Sequence, residues 1–215
     1  MSDVRLTLSM PCFGRPERTK RSIECIINQD TNGWEAFIMG DCCPHFQKLI
    51  DSGYLESIKL EQEKKGNIIH YFNAEVNGGG CGYKLTNHAI RNASGKYFIF
   101  YANDDILLPN HFSNYLEIEK EPDLDFMYFN TWVDPTRSIR NSFLQYCLIG
   151  HSEIIVKTDL AKEITPHNDR YGHDWDFIKE VIEKGKGKKS ESNYLTYLVM
   201  SQTYPDRIVT NDIID

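Results

Sequence analysis

The stretch GKYFIFYANDDILLP, Gly95 to Pro109, decides how the rest of the chain reads. A glycine turn leads into an apolar, aromatic-rich run from Tyr97 to Ala102, which ends in Asn103, Asp104 and Asp105. Runs of this length and composition read as buried strands. Carboxylates avoid the end of such a strand unless they are paired or metal-bound. Oxygen ligands there suit a hard cation, Mg²⁺ or Mn²⁺, that also holds a phosphate. The competing reading is a solvated loop in which Asp104 or Asp105 caps a following helix.

The residues before this stretch alternate strand and helix signals. Arg5 to Met10 is a predicted strand, Pro11 to Pro16 a turn, and Glu17 to Gln29 a helix with Ile23, Ile26 and Ile27 on one face. Trp34 to Met39 reads as a second strand ending in Gly40 and Asp41, Phe46 to Gly53 as a short helix, and Asn67 to Phe72 as a third strand. A glycine loop, Gly78-Gly79-Gly80-Cys81-Gly82, precedes a helix from Tyr83 to Ala93 and then the strand Lys96 to Ala102. The order βαβαβαβ predicts an α/β fold with a mainly parallel sheet and helices on both faces. Ligands of such sheets sit beyond the carboxyl ends of the strands. Cys12-Phe13-Gly14, Asp41 and Asn103-Asp104-Asp105 are therefore expected to converge on one crevice. The glycine loop lacks the G-x-x-x-x-G-K-[ST] pattern of a phosphate loop.

The second half is less regular. His111 to Lys120 is a predicted helix, Asp125 to Trp132 a strand, Ile154 to Val156 a short strand, and Thr158 to Glu163 a helix. YGHDWDF, Tyr171 to Phe177, precedes a helix running to about Lys184. EKGKGKKSE, Glu183 to Glu191, reads as a solvated, mobile loop or a local phosphate contact. The tail from Ser190 to Asp215 reads as a strand and loops, TYLVMSQ being its apolar part.

The 215 residues are 40% hydrophobic and carry 12 Tyr, 11 Phe and 3 Trp, enough for one substantial core and against disorder. A net charge of −7 disfavours broad binding to nucleic acid or anionic membrane. No apolar run has membrane-spanning length, and MSDVRLTLSM lacks the features of a signal peptide. The expectation is a soluble, cytoplasmic protein. The six cysteines form no CxxC pair and read as reduced thiols.

Four segments, taken together, resemble the family 2 glycosyltransferases of the GT-A fold. They are MPCFGRPERTKRSIECIINQ, WEAFIMGDCCP, YKLTNHAIRNASGKYFIFYANDDILLP and GHDWDF, in the family's order over about Leu6 to Phe177. The YANDDILLP wording looks similar to the spore-coat polysaccharide transferase type. The resemblance implies a Rossmann-like single domain over residues 1–215. Its nucleotide-sugar half covers about 1–109, and its acceptor and catalytic-base half about 110–215.

The resemblance also implies roles. Asp41 would contact the nucleotide base, its alternative being a turn residue. Asp104 would lie near the ribose or metal, and Asp105 would bind the metal that bridges the diphosphate. Pro11, Phe13 and Lys84 would join Asp41 and Asp104 in holding the nucleotide sugar. Asp174 would be the general base, its alternative being the cap of the helix after it. His173 and Trp175 would meet the acceptor. Trp132, a second candidate for stacking, reads better as core. Three positions depart from the family pattern: Gly40 and Ala102 stand where acids are usual, and His173 stands where a Glu is usual.

The function so implied is inverting, metal-dependent transfer of one sugar from a nucleotide diphosphate sugar to an acceptor hydroxyl. A divalent cation, Mn²⁺ or Mg²⁺, is the implied cofactor. The processive synthases' Gln-x-x-Arg-Trp motif is absent, so the transfer is expected to be non-processive. A glycan or lipid-linked precursor is the implied acceptor, with a hydroxymethylated DNA base as the alternative. Two other readings stay open. A nucleotidyltransferase would use a glycine-rich basic loop after the first strand, where this chain offers Arg15, Arg18 and Lys20 but one glycine. A non-catalytic nucleotide-sugar-binding domain would fit the changes at Gly40 and Ala102.

Overall fold

The aromatic run of the opening stretch is strand β4 (Tyr97–Phe100), buried at all four residues. It pairs in parallel with β1 (Leu6–Cys12), which pairs in parallel with β2 (Trp34–Gly40), which pairs in parallel with β3 (Ile68–Asn73). This is a computed structural model; it describes residues 4–200 except 80, 81, 134–137, 167, 169, 171, 193 and 194. Among the described residues no helix is long and apolar enough to cross a membrane.

Alternation along the strands builds two cores. Tyr97 and Ile99 face one side with Leu6, Leu8, Met10, Ala36 and Ile38. Phe98 and Phe100 face the other with Phe37 and Met39. The first face is covered by α1 (Pro16–Ile27), α2 (Pro44–Asp51), α3 (Tyr54–Lys64) and α5 (His111–Tyr115), through Ile23, Ile26, Phe46, Leu55, Ile58 and Phe112. The second is covered by α4 (Tyr83–Asn92), α6 (Thr158–Glu163) and α7 (His173–Lys184), through Leu85, Ala89, Ile90, Ala161, Phe177 and Val181. Each fully buried Leu or Phe of these faces contributes about 1.5–3 kcal/mol of burial free energy.

The second half of the chain completes the same sheet. β9 (Ile154–Lys157) runs antiparallel to both β4 and β6 (Phe126–Tyr128), and β10 (Gly187–Lys189) adds in parallel beyond β6. The order is β10-β6-β9-β4-β1-β2-β3, a mixed sheet with a parallel majority. A second, four-stranded sheet has the order β5-β11-β7-β8, from β5 (Ile106–Leu107), β7 (Thr131–Val133), β8 (Ser138–Arg140) and β11 (Tyr197–Val199).

Several expectations change. Helix α3 was not anticipated, because only Leu55, Ile58 and Gln62 of its eleven residues are buried and the rest reads as charged surface. The strand expected over Asp125 to Trp132 is two strands in different sheets. The helix from His111 keeps α geometry to Tyr115 and then tightens into a 3₁₀ turn, Leu116–Lys120. The lysine segment is not a solvated loop: Gly187–Lys189 is an edge strand. Gly187 makes this possible, since a Cβ there would meet the Phe126 ring at 2.3–2.4 Å. Alternating glycine and lysine thus lets the strand dock while its lysines discourage further edge pairing. Gly80, Cys81, Tyr171 and the tail beyond Met200 lie outside the described residues.

Candidate active site at the carboxyl ends of the strands

The ends of β1, β2 and β4 bring one set of expected residues together. The Asp41 N–H donates to the Cys12 carbonyl at 2.9 Å, tying the end of β2 to the end of β1. The buried Asp41 carboxylate accepts from the Gly78 N–H at 2.6 Å, and Asn77 Nδ2 donates to the Asp41 carbonyl at 3.2 Å. A Cβ on Gly78 would lie 3.2 Å from Asp41 Oδ1 and 3.4 Å from the Lys84 side chain, so Gly78 lies between Asp41 and Lys84. A Cβ on Gly82, just ahead of α4, would meet Pro11 Cβ at 2.5 Å. Phe13 is exposed at the end of β1.

The loop from β1 to α1 and the first turns of α1 lie against Asn103 and Asp104. Gly14 and Arg15 both adopt left-handed backbone, with φ of 60° and 48°. Pro16 then starts α1, a position where its fixed φ is suited to the helix. Asn103 Nδ2 donates to Thr19 Oγ1 at 2.8 Å, and Arg21 donates to the Asp104 carbonyl at 2.9 Å. The Asp104 carboxylate forms an ion pair with Arg15.

Asp105 sits differently. It is 6% exposed. Its Oδ2 accepts from the Tyr197 hydroxyl at 2.6 Å and its Oδ1 from the Met200 N–H at 2.8 Å. Burial pushes its carboxyl up to about 6, against the opposing hydrogen bonds from Tyr197 and Met200. Both oxygens are therefore spent on fastening β11 to the end of β4. Among the described residues no group of three His, Cys, Asp or Glu side chains gathers as a metal site. Magnesium in nucleotide sites is typically held by one or two carboxylates plus substrate phosphates. Asp104 is the more open of the two carboxylates, whereas Asp105 is buried and each of its oxygens already accepts a hydrogen bond.

The other wall belongs to α7. Gly172, at φ 84°, precedes the helix, so Asp174 lies inside the first turn and is not its cap. Acidic residues there suit the positive end of the helix. Asp174 Oδ1 accepts from the Trp175 N–H at 2.9 Å. A Cβ on Gly150 would stand 3.7 Å from Asp174 Oδ2 and 3.6 Å from Glu153 Oε2. A file of rings connects this wall to β4: Phe100 stacks on His151 at 4.3 Å, and His151 lies 5.5 Å from His173. Trp175 is half-buried against the core, 6.3 Å from the Tyr146 ring. Trp132 packs with Ile106, Leu198 and Met200, as core.

Sequence reasoning missed three supports. Asn73 explains the departure at Gly40: a Cβ there would meet Asn73 Oδ1 at 2.3 Å. Asn73 instead bridges to the Cys43 N–H and carbonyl at 2.9 and 3.2 Å. Glu153 is fully buried, holding Thr131 Oγ1 at 2.9 Å and Arg140 Nε at 3.2 Å. Tyr197 reaches back from nearly a hundred residues away, beyond any local pattern.

The family description "Glycosyl transferase family 2" matches residues 7–144. The chain is 27% identical over 129 residues to the putative colanic acid biosynthesis glycosyl transferase WcaA of Escherichia coli K12, covering 60% of this chain and 43% of WcaA. It is 23% identical over 188 residues to the E. coli UDP-Glc:alpha-D-GlcNAc-diphosphoundecaprenol beta-1,3-glucosyltransferase WfgD, covering 82% of this chain and 68% of WfgD. The crystal structure of S. aureus TarS 1-349 in complex with UDP-GlcNAc superposes with a TM-score of 0.74 at 16% identity, covering 94% of this chain and 60% of that one. The mannosyltransferase PcManGT from Pyrobaculum calidifontis, in complex with GDP-Man and Mn²⁺, gives 0.64 at 13% identity, covering 94% and 58%. These structural likenesses are of fold, and the fold is the GT-A-like α/β arrangement expected. The chain spans less than half of WcaA and three fifths of that TarS structure. Since the family description covers more than half of its residues, the chain belongs to glycosyl transferase family 2.

Proposed function

We propose that this chain is a non-processive, inverting glycosyltransferase that moves one sugar from a nucleotide diphosphate sugar to an acceptor hydroxyl. The observation that carries this is the convergence of Asp41, Lys84 and Asp104 at the ends of β1, β2 and β4, with Asp174 on the wall beyond. The names of the compared proteins support the donor class: TarS is complexed with UDP-GlcNAc, and WfgD is described as using UDP-Glc. WfgD also acts on a diphosphoundecaprenol-linked sugar, which supports a lipid-linked acceptor. The Asn103-Asp104-Asp105 wording supports the spore-coat polysaccharide type within the family.

The base and ribose of the donor belong to Asp41, the glycine loop and the β1 end. The burial of the Asp105 carboxylate supports giving the cation to Asp104, which would exchange Arg15 for Mn²⁺ or Mg²⁺ shared with the diphosphate. The cation supplies neutralisation of the charge left on the departing nucleoside diphosphate. Lys84 and the released Arg15 add positive charge on the same side. Asp174 accepts the proton of the acceptor hydroxyl as the new glycosidic bond forms and the bond to the diphosphate breaks. One displacement from the opposite face inverts the anomeric centre.

The test is Asp174→Asn, with turnover and donor binding measured separately. Turnover should fall by ~10²–10⁴ with donor affinity unchanged, because the variant loses proton acceptance alone. A folded Asp174→Asn enzyme with wild-type turnover would remove Asp174 from the mechanism. Retention of the donor's anomeric configuration in the product, read by NMR, would end the inverting assignment.

A further inference from the structure

Glu153 is fully buried, and a single glycine stands between its carboxylate and that of Asp174. A Cβ on Gly150 would lie 3.6 Å from Glu153 Oε2 and 3.7 Å from Asp174 Oδ2. Glu153 is held from three parts of the chain. Its Oε1 accepts from Thr131 Oγ1 at 2.9 Å and pairs with Arg140 Nε at 3.2 Å, while its Oε2 accepts from the Gly150 N–H. Thr131 and Arg140 are register partners across β7 and β8, so both strands converge on one oxygen. Burial pushes the Glu153 carboxyl up, and Arg140 opposes this. Stability alone does not account for an acid at such a position. A buried ion pair is weak evidence for stability, since apolar groups of similar volume often serve as well.

The location of Glu153 gives it a second task. It ends the 3₁₀ turn His151–Glu153, and its side chain returns to the N–H of Gly150, the residue ahead of that turn. The closed turn meets the start of α7 at two places. Gly150 borders Asp174 Oδ2. The His151 ring, stacked on Phe100, lies 5.5 Å from His173. The other oxygen of Asp174, Oδ1, accepts from the Trp175 N–H at 2.9 Å. A proton acceptor has to be aimed as well as present. A carboxylate suits the Glu153 position because both of its oxygens accept. Glutamine has the same shape but would turn its NH₂ group either to Arg140 or to the Gly150 N–H, setting donor against donor.

We propose that Glu153, paired with Arg140, is a positioning residue for Asp174: it fixes the turn from Gly150 to Glu153 and, through that turn, the orientation of the Asp174 carboxylate. The fixing of the turn does not depend on the transferase reading; its effect on proton acceptance rests on that reading.

The test is Glu153→Gln in the full chain, followed by amide NMR, calorimetry with UDP, and release of UDP from UDP-Glc. The Trp175 amide reports on Asp174, to which it donates. Glu153→Gln should move the Gly150 and Trp175 amide resonances, leave UDP affinity within ~2-fold and lower turnover ~10²-fold, the cost of a misplaced reacting group. Arg140→Met should move the same two resonances. The double variant should lose little more turnover than either single one, since residues acting as one unit are not additive. Leu60→Ser, an exposed change on α3, should move neither resonance. If Glu153→Gln does not fold, Gly150→Ala replaces it: the added methyl stands in ordinary contact with both carboxylates and should move the Trp175 amide. Three results overturn the proposal. These are a Trp175 amide at its wild-type position in the folded variant, wild-type turnover despite moved amides, or a parallel fall of turnover and UDP affinity, which a merely structural acid would give. A wild-type chain that neither binds UDP nor releases it from UDP-Glc counts against the transferase reading, and the Trp175 amide then still decides whether Glu153 orients Asp174.

Discussion

Asp104 and Asp105 are adjacent and have opposite surroundings. Asp104 meets the guanidinium of Arg15 at the cleft, while Asp105 is enclosed and spends both oxygens on β11. Asp105→Ala should therefore cost about 1–3 kcal/mol in urea denaturation, because the Tyr197 hydroxyl and Met200 N–H lose their acceptor. Asp104→Ala should leave stability nearly unchanged. Ala102 is exposed at the same strand end. Ala102→Asp should strengthen the cation dependence of donor binding in calorimetry, by adding a second carboxylate beside Asp104. Glu35, at the far end of β2, is a structural acid. Burial opposes its ionisation, but hydrogen bonds from His70, Thr7 and Ser94 outweigh this and hold its carboxyl at about 2. A folded value below the unfolded one gives stability that is present above the unfolded value and lost as pH falls through the folded one. The wild type should lose this contribution between about pH 4.5 and pH 2, and Glu35→Gln should lack that arm of the pH–stability curve.

At the scale of elements, the first half was legible because its strands are long and its helices have clean apolar faces. β1, β2 and β4 and the helices α1 and α4 fall within a few residues of their predicted bounds. The second half was not. Three-residue strands such as β7, β8 and β10 carry too few side chains for a period to show, and their partners are distant: Tyr197 pairs with Leu107, and Leu198 with Trp132. The lysine segment reads as surface by composition and becomes a strand through the missing side chain of Gly187. Gly187→Ala should cost about 1–3 kcal/mol by overpacking against Phe126, measured as a shift of the urea midpoint without change of slope. The site was legible as a set of strand ends. The division of labour within it was not, since the surroundings of Asp105 depend on Tyr197 and Met200.

Across the whole molecule, the two halves share one seven-stranded sheet, with β9 set between β4 and β6. The proposed nucleotide side and the Asp174 wall are therefore parts of one framework, joined through the rings of Phe100, His151 and His173. Rigid spacing between donor and base is what the proposed single displacement would require. The most direct measurement is calorimetric titration of UDP into the wild type and into Asp104→Ala, each with and without Mn²⁺. The wild type should bind UDP more tightly with Mn²⁺, and Asp104→Ala should lose that enhancement while remaining folded. A folded wild type that binds no nucleoside diphosphate under either condition would contradict the assignment of this cleft.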